Sequence, residues 1–409
     1  MALQNWCKWA ERYFLKVLFG LGVIIGSEPL AVLGNAAFAS SGGFNPLSVS
    51  FVSGLLGWSL GWVPCGTSGA CVALRRTLNG GRTWSVEPVP ASLAVLVDRR
   101  IYGRPLLLVA GPQSWLNIRF ANSEDGWIFG GLPNGGPLLW STHNGGFTWQ
   151  RQPARGLSPD NPIIDVEASR STVYLMAINE AERVVVESSP IDKDDWHLDQ
   201  TTLLPLPAGG GEPSGSFVFR GGHGWLVEGN DRGVTGSAEL EGSTRWVAWE
   251  SPCRSVGNSY AVPAASNASD LAVICVMGGF ASPLSPSAPP GASLGSSWLY
   301  FSNNVGASFY HGPELIPIHD SFGPVLAYPE PGTIVMQRAG PGGNALIVSF
   351  NFGKSWQVPW HVALPRYFSN LVFVTATDGF ALVVSGPSAA GSILISTRDG
   401  GRRWTEVNF

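Results

Sequence analysis

Charge is scarce in this chain: of 409 residues only 13% are Asp, Glu, Lys or Arg, and the formal balance is −4. With no basic surplus to neutralise phosphates, nucleic acid is excluded as a main partner. Cysteine is rare, five residues in all, and no CxxC spacing or adjacent histidine supplies a zinc ligand set. Long apolar runs are missing as well. Residues 17–25 (VLFGLGVII) fall well short of the roughly 18 residues that a membrane span needs. His143, His197, His223, His311, His319 and His361 are scattered, and no HExxH, GxSxG or P-loop string occurs. Beyond the N-terminus no stretch keeps a helical period. What the chain does have is 52 Gly, 31 Pro and 17 Trp, a composition suited to many turns and to aromatic packing between sheets.

One eight-residue phrase returns five times, at residues 77–84 (TLNGGRTW), 142–149 (THNGGFTW), 302–309 (SNNVGASF), 349–356 (SFNFGKSW) and 397–404 (TRDGGRRW). Its template is hydroxyl, any, Asn or Asp, any, Gly, any, usually hydroxyl, aromatic. β-like runs precede four of the five copies, for example residues 71–76 and 393–396. An Asn or Asp side chain can bond backbone amides two residues on, and Gly supplies positive φ, so the phrase closes a tight hairpin. The aromatic at position eight returns to pack against its own sheet. The structural residues are thus Asn79, Gly81 and Trp84; Asn144, Gly146 and Trp149; Asn304, Gly306 and Phe309; Asn351, Gly353 and Trp356; and Asp399, Gly401 and Trp404. A calcium site is the competing reading. Each copy offers at most one carboxylate, whereas hard cations need several oxygens on one point. No metal and no cofactor are expected.

Two decayed copies fill the gaps in the period, residues 189–196 (SPIDKDDW) and 239–246 (ELEGSTRW). A second signature, Gly-aromatic, precedes several copies: Gly57-Trp58, Gly126-Trp127, Gly224-Trp225 and Gly379-Phe380. It reads as a turn feeding a strand. Further short runs, residues 116–120 and 371–374 among them, lie upstream. One unit is therefore four short strands, and seven units predict an all-β, seven-bladed β-propeller of four-stranded blades. The expected blades are about 46–90, 113–153, 162–206, 215–252, 256–316, 322–360 and 368–409, within one domain from 40 to 409. Closure is expected by packing of the last blade on the first, with a strand shared between the ends as the other possibility.

The first 39 residues read as a signal peptide or an N-terminal membrane segment. Lys8, Arg12 and Lys16 precede the apolar run, and Ala37-Phe38-Ala39 before Ser40 has the small residues of a cleavage site. The run is short, and Glu28-Pro29 lengthens the gap before Ala37. Past this leader four cysteines remain. Pairing of Cys65 with Cys71 and of Cys253 with Cys275 is the simplest of three connectivities. Bridges need an oxidising compartment, so the protein is expected to be exported, outside the cell or in the envelope of a bacterium.

The five phrases resemble the Asp-box, or BNR, repeat. Together with the DGW run at residues 125–127 and the loop between Cys65 and Cys71, they make the chain similar to exported bacterial propellers related to the photosystem II assembly and stability factor. That resemblance spans residues 46–409 and implies a protein that holds partners without catalysis. The Asp-box family also contains sialidases, which share an Arg-Ile-Pro motif, an arginine triad, a Tyr–Glu pair and an acid/base Asp. No Arg-Ile-Pro string is present; the nearest is Pro365-Arg366-Tyr367. Asp160, Asp165, Glu167, Glu228 and Asp231 are carboxyl candidates by place alone, with nothing in the sequence to pair them.

Ligands are expected on the face of the loops that lead into the first strands and join the second to the third. There the stretch 88–114 carries Arg99, Arg100, Tyr102 and Arg104, a site for an acidic ligand or else a solvated hairpin. The run 282–290 (SPLSPSAPP) suits a flexible exposed loop. The sequence points to a non-enzymatic binding or scaffolding propeller with a protein or glycan partner. Membrane contact would run only through an uncleaved leader. A sialidase-like glycoside hydrolase is the alternative.

Overall fold

The structure, a computed structural model, describes residues 43–409 apart from 66–68, 95–99, 102–103, 106–115, 133–135, 155, 159–161, 182, 202–213, 231–232, 240–245, 256–258, 278–296, 316–324, 341–342, 364–365 and 386–390. The leader and the run 282–290 lie outside the described residues.

Asn45–Phe51, Gly57–Cys65, Gly69–Thr77 and Ser85–Glu87 pair antiparallel in chain order as one sheet. The same meander recurs over 116–151, 165–201, 214–249, 259–315, 326–362 and 366–407, so the described residues hold seven four-stranded sheets. The first strand of each sheet adjoins the first strand of the next, and Asn45–Phe51 adjoins the strands of the 366–407 sheet. The sheets therefore stand around an axis lined by their first strands. This is a β-propeller with four-stranded blades. Among the described residues no strand is shared between the first sheet and the last. Among the described residues no helix is long and apolar enough to cross a membrane.

One aromatic arrangement recurs between sheets. Phe51, Phe120, Phe219 and Phe373 lie in or at the end of first strands. Their rings lie over Gly57, Gly126, Gly224 and Gly379, where any Cβ would overlap the ring. The glycine of each Gly-aromatic pair thus belongs to the second strand, and its role is steric; the turn expected there ends just before it. Three of these four phenyls also take a ring from the preceding sheet. Trp58 stacks on Phe120 at 3.6 Å, Tyr174 on Phe219 at 4.6 Å, and Phe380 on Phe51 at 3.5 Å. That last pair joins the two ends of the chain. It is reinforced by the Gly391 N–H donating to Asn45 Oδ1 at 2.8 Å and Arg398 Nη2 donating to Gly80 O at 3.2 Å.

The repeated turns share one hydrogen-bond network. Thr77 Oγ1 accepts the Gly81 N–H at 2.9 Å and donates to Asn79 Oδ1 at 3.1 Å. Asn79 Oδ1 accepts the Thr83 N–H at 2.9 Å, and its Nδ2 donates to Thr83 Oγ1 at 2.8 Å. The copies at Asn144, Asn304 and Asn351 repeat all four bonds. In the fifth, Asp399 Oδ1 accepts from Thr397 Oγ1 and from the Arg403 N–H, both at 2.9 Å. A carboxylate has no N–H to give, and position seven there is arginine instead of a hydroxyl. Positions four and five both have positive φ in every copy, including Val305 at 65° and Phe352 at 59°. The aromatics at position eight pack edge-on against their own first-strand phenyls: Trp84 on Phe51, Trp149 on Phe120 and Trp404 on Phe373. Trp404 is buried, and Trp84 and Trp149 are half-buried.

The cysteines pair locally, Cys65 with Cys71 within one hairpin and Cys253 with Cys275 in the core of the fifth sheet. Mass mapping of the purified protein without reductant should find these two bridges; four free thiols would contradict them. Gly401 has φ +90°, and a Cβ there would sit 3.1 Å from Val335 of the neighbouring sheet. Gly401→Val should therefore cost about 2 kcal/mol or more, from left-handed backbone and overpacking together. An unchanged denaturation midpoint would refute this account of the turn.

Candidate functional site

In the first strands of the first three sheets, Asn45–Phe51, Leu116–Phe120 and Asp165–Ser169, apolar residues alternate with polar ones, and several of the polar residues bridge from sheet to sheet. In the first strand Ser48 and Ser50 accept the N–H groups of Ile118 and Phe120 at 3.2 and 2.8 Å. From a second strand, Thr333–Gly340, Gln337 Oε1 likewise accepts the Phe368 N–H of the next sheet at 2.9 Å. Between the second and third sheets this bridge is ionic. Arg119, in Leu116–Phe120, donates through Nε to Val166 O at 3.1 Å and through Nη2 to Glu167 Oε1 at 2.7 Å. Asp165 Oδ1 stands 3.8 Å from the same Nη2 and accepts its neighbour's Val166 N–H at 2.9 Å.

Two carboxyls thus face one guanidinium, and the electrostatics follow from that imbalance. Burial pushes the Asp165 carboxyl up, the Glu167 charge pushes it further, and Arg119 and the Val166 N–H offset part; it is raised to about 7. Burial works against the Arg119 charge, and Glu167 and Asp165 more than compensate, raising it above its ordinary value. Near this trio a cavity of about 360 Å³ lies between residues 168–170 and 219–222. There Arg220 Nη2 donates to Phe373 O at 3.1 Å, a bond from the fourth sheet to the seventh.

Asp165 and Glu167, unpaired in the sequence, are therefore brought together at Arg119. Their geometry is unlike that of a hydrolase pair: both sit on one strand, two residues apart, and both are held by the same cation. Glycoside hydrolysis places its carboxyls on either side of the scissile bond. Asp160 and Asp231 lie outside the described residues, and Glu228 lies in His223–Asn230. Of the arginine-rich candidates, Arg99 and Tyr102 lie outside the described residues. Arg100 and Arg104 fall in a two-stranded ribbon, Arg100–Ile101 with Arg104–Pro105, between the first and second sheets in sequence. Among the described residues no group of His, Cys, Asp or Glu could hold a metal ion. Arg119 escaped the sequence reading because one arginine in a short strand is a weak signal. The usable clue was its match to Asp165 and Glu167, each a charge at an alternate position of a first strand.

No family model matches the chain, and no curated protein matches it. Solved structures do. YCF48 bound to D1 peptide aligns with TM-score 0.52 and 18% identity, covering 87% of this chain and 94% of that one. YCF48 from Cyanidioschyzon merolae gives 0.51 and 16%, with 87% and 96% covered. An ulvan lyase of polysaccharide lyase family PL25, bound to a sugar segment, gives 0.55 and 11%, with 89% and 95% covered. At such identities the likeness is one of fold, and it is to β-propellers.

The raised Asp165 carboxyl has a consequence for stability. Its folded pKa of about 7 lies above the ordinary value, so the folded state binds more protons between the two, and stability falls as pH rises from about 4 to 7. Asp165→Asn should flatten that part of a urea-denaturation pH profile; an unaltered slope would show that the carboxyl titrates normally.

Proposed function

We propose that the chain is an exported, seven-bladed propeller of the Asp-box type that works without catalysis, as a binding or scaffolding module for a protein or glycan in the cell envelope. The observation that carries this reading is the Arg119 clamp. The two carboxyls gathered on the first strands are engaged in holding one blade to the next, which leaves them poorly placed for acid–base work across a cleft. The turns argue the same way: their Asn and Asp oxygens are taken up by local hydroxyls and amides. Two bridges per chain suit an oxidising compartment and an N-terminal leader over residues 1–39. The similar propellers reported above include one bound to a peptide and one bound to a sugar segment, so both partner classes fit a ring of this kind.

A rigid ring whose turns are satisfied internally presents its loops to a partner at little ordering cost, which favours binding over chemistry. The purified protein should bind members of one class in parallel peptide and glycan arrays, saturably, and should release no product from sialyl or other glycosyl fluorophores. Turnover that vanished in a folded Glu167→Gln variant would overturn the proposal in favour of a sialidase-like hydrolase.

A further inference from the structure

The seam between the second and third sheets is joined unlike those between the first and second and between the fourth and fifth. Trp58 donates its indole N–H to Gly145 O of the next sheet's turn at 3.0 Å, and Trp225 donates to Val305 O at 3.0 Å. Trp127 is the corresponding ring; it is fully buried, and its Nε1 finds no acceptor. The next turn in its case is the decayed copy at 189–196, where Ser189 Oγ donates to Lys193 O at 2.9 Å and accepts the Asp195 N–H at 3.0 Å. From that turn Asp194 reaches back to the second sheet. Its Oδ2 accepts the Ser141 hydroxyl at 2.8 Å and stands 3.3 Å from His143 Nε2. The other ring nitrogen, Nδ1, stands 2.7 Å from Asp125 Oδ1.

Both nitrogens of one imidazole thus face carboxylates, one in its own sheet and one across the seam. A neutral ring has one N–H: it can donate to one aspartate and must turn a lone pair to the other. The imidazolium donates to both. We propose that His143 is a proton-operated latch between the second and third sheets, closed while the ring is protonated and loosened when it is neutral.

The surroundings suit that role. Gln152 Nε2 donates to Ser141 Oγ at 2.8 Å and Asn122 Nδ2 donates to Asp125 Oδ2 at 2.8 Å, so both carboxylates are fixed in place. Asp194 Oδ1 is buried with no hydrogen bond, which leaves this carboxylate dependent on the Ser141 and His143 side chains. The other charged groups on the packed elements are Glu124, Asp192, Lys193, Asp195 and Arg76; among the described residues the ring pairs with Asp125 and Asp194 alone. Burial works against the charged ring, but the bonds to Asp125 and Asp194 prevail and its pKa is raised. A raised histidine pKa contributes stability that is complete below the ordinary value near 6.5 and is lost as pH rises through the folded value.

The test is amide exchange in the full chain across pH 5.5 to 8.5, corrected for intrinsic rates, beside an NMR titration of His143. Asp165→Asn serves as background so that the two titrations stay apart. The ring should titrate above its ordinary value. Protection over residues 189–196 should fall as pH passes that point, by up to about tenfold per unit of raised pKa. Asp194→Asn should bring the titration back toward the ordinary value and abolish the pH dependence of protection. An ordinary titration in the unaltered chain, or a pH dependence that survives Asp194→Asn, would overturn the latch.

Discussion

A phenyl ring lying flat on a glycine is the constraint on which the rest of this ring depends. Phe51, Phe120, Phe219 and Phe373 each cover a second-strand glycine. Where Trp58, Tyr174 and Phe380 reach across, the ring's other face is covered by the preceding sheet. Each such contact sets both the spacing within a sheet and the angle to the next, because the phenyl can move neither toward the backbone nor away from its stacking partner. Aromatic pairs of this kind add about 0.5–1.5 kcal/mol beyond the area they bury. Repetition around the axis turns a modest increment into a rigid frame.

The turns at the rim complete that frame in a way that depends on chemistry more than on sequence identity. The third-position side chain accepts from the first and seventh residues, and where it is Asn it also donates, so a hydroxyl waits at position seven. Where it is Asp399 the donor is gone and Arg403 replaces the hydroxyl. The indole donor is treated similarly. Trp58 and Trp225 bond the fourth-position carbonyl of the following turn, whereas Phe380 cannot, and Arg398 bonds Gly80 O in its stead. At Trp127 neither device is used, and the seam passes instead through Ser141, His143 and Asp194.

Much of this was legible in the sequence. The five phrases gave the hairpins. The decayed copy at 189–196 joins the last two strands of the third sheet, while residues 240–245 of the other copy lie outside the described residues. Cys65, Cys71, Cys253 and Cys275 paired with the partner nearest in the chain. The Gly-aromatic signature is visible in the string but its steric cause is not, since nothing there shows that Phe51 or Phe120 folds back over a glycine a few residues later. The spacing was available: Phe51 to Gly57, Phe120 to Gly126 and Phe373 to Gly379 are each six residues apart. The trio of Arg119, Asp165 and Glu167 was harder to find. Its members join across some 46 residues, and a long-range ion pair leaves no local period to read.

Among the described residues the ladders never cross from one end of the chain to the other. Each four-stranded sheet is a meander of neighbouring segments, the last built from 366–407 and the first from 45–87, and among the described residues these two are bridged through side chains. Each wedge can therefore complete its backbone pairing as soon as its own four strands are available, without waiting for a distant partner. Circularity comes last and costs no strand exchange: two finished surfaces need only meet, face to face, at Phe51 and Phe380.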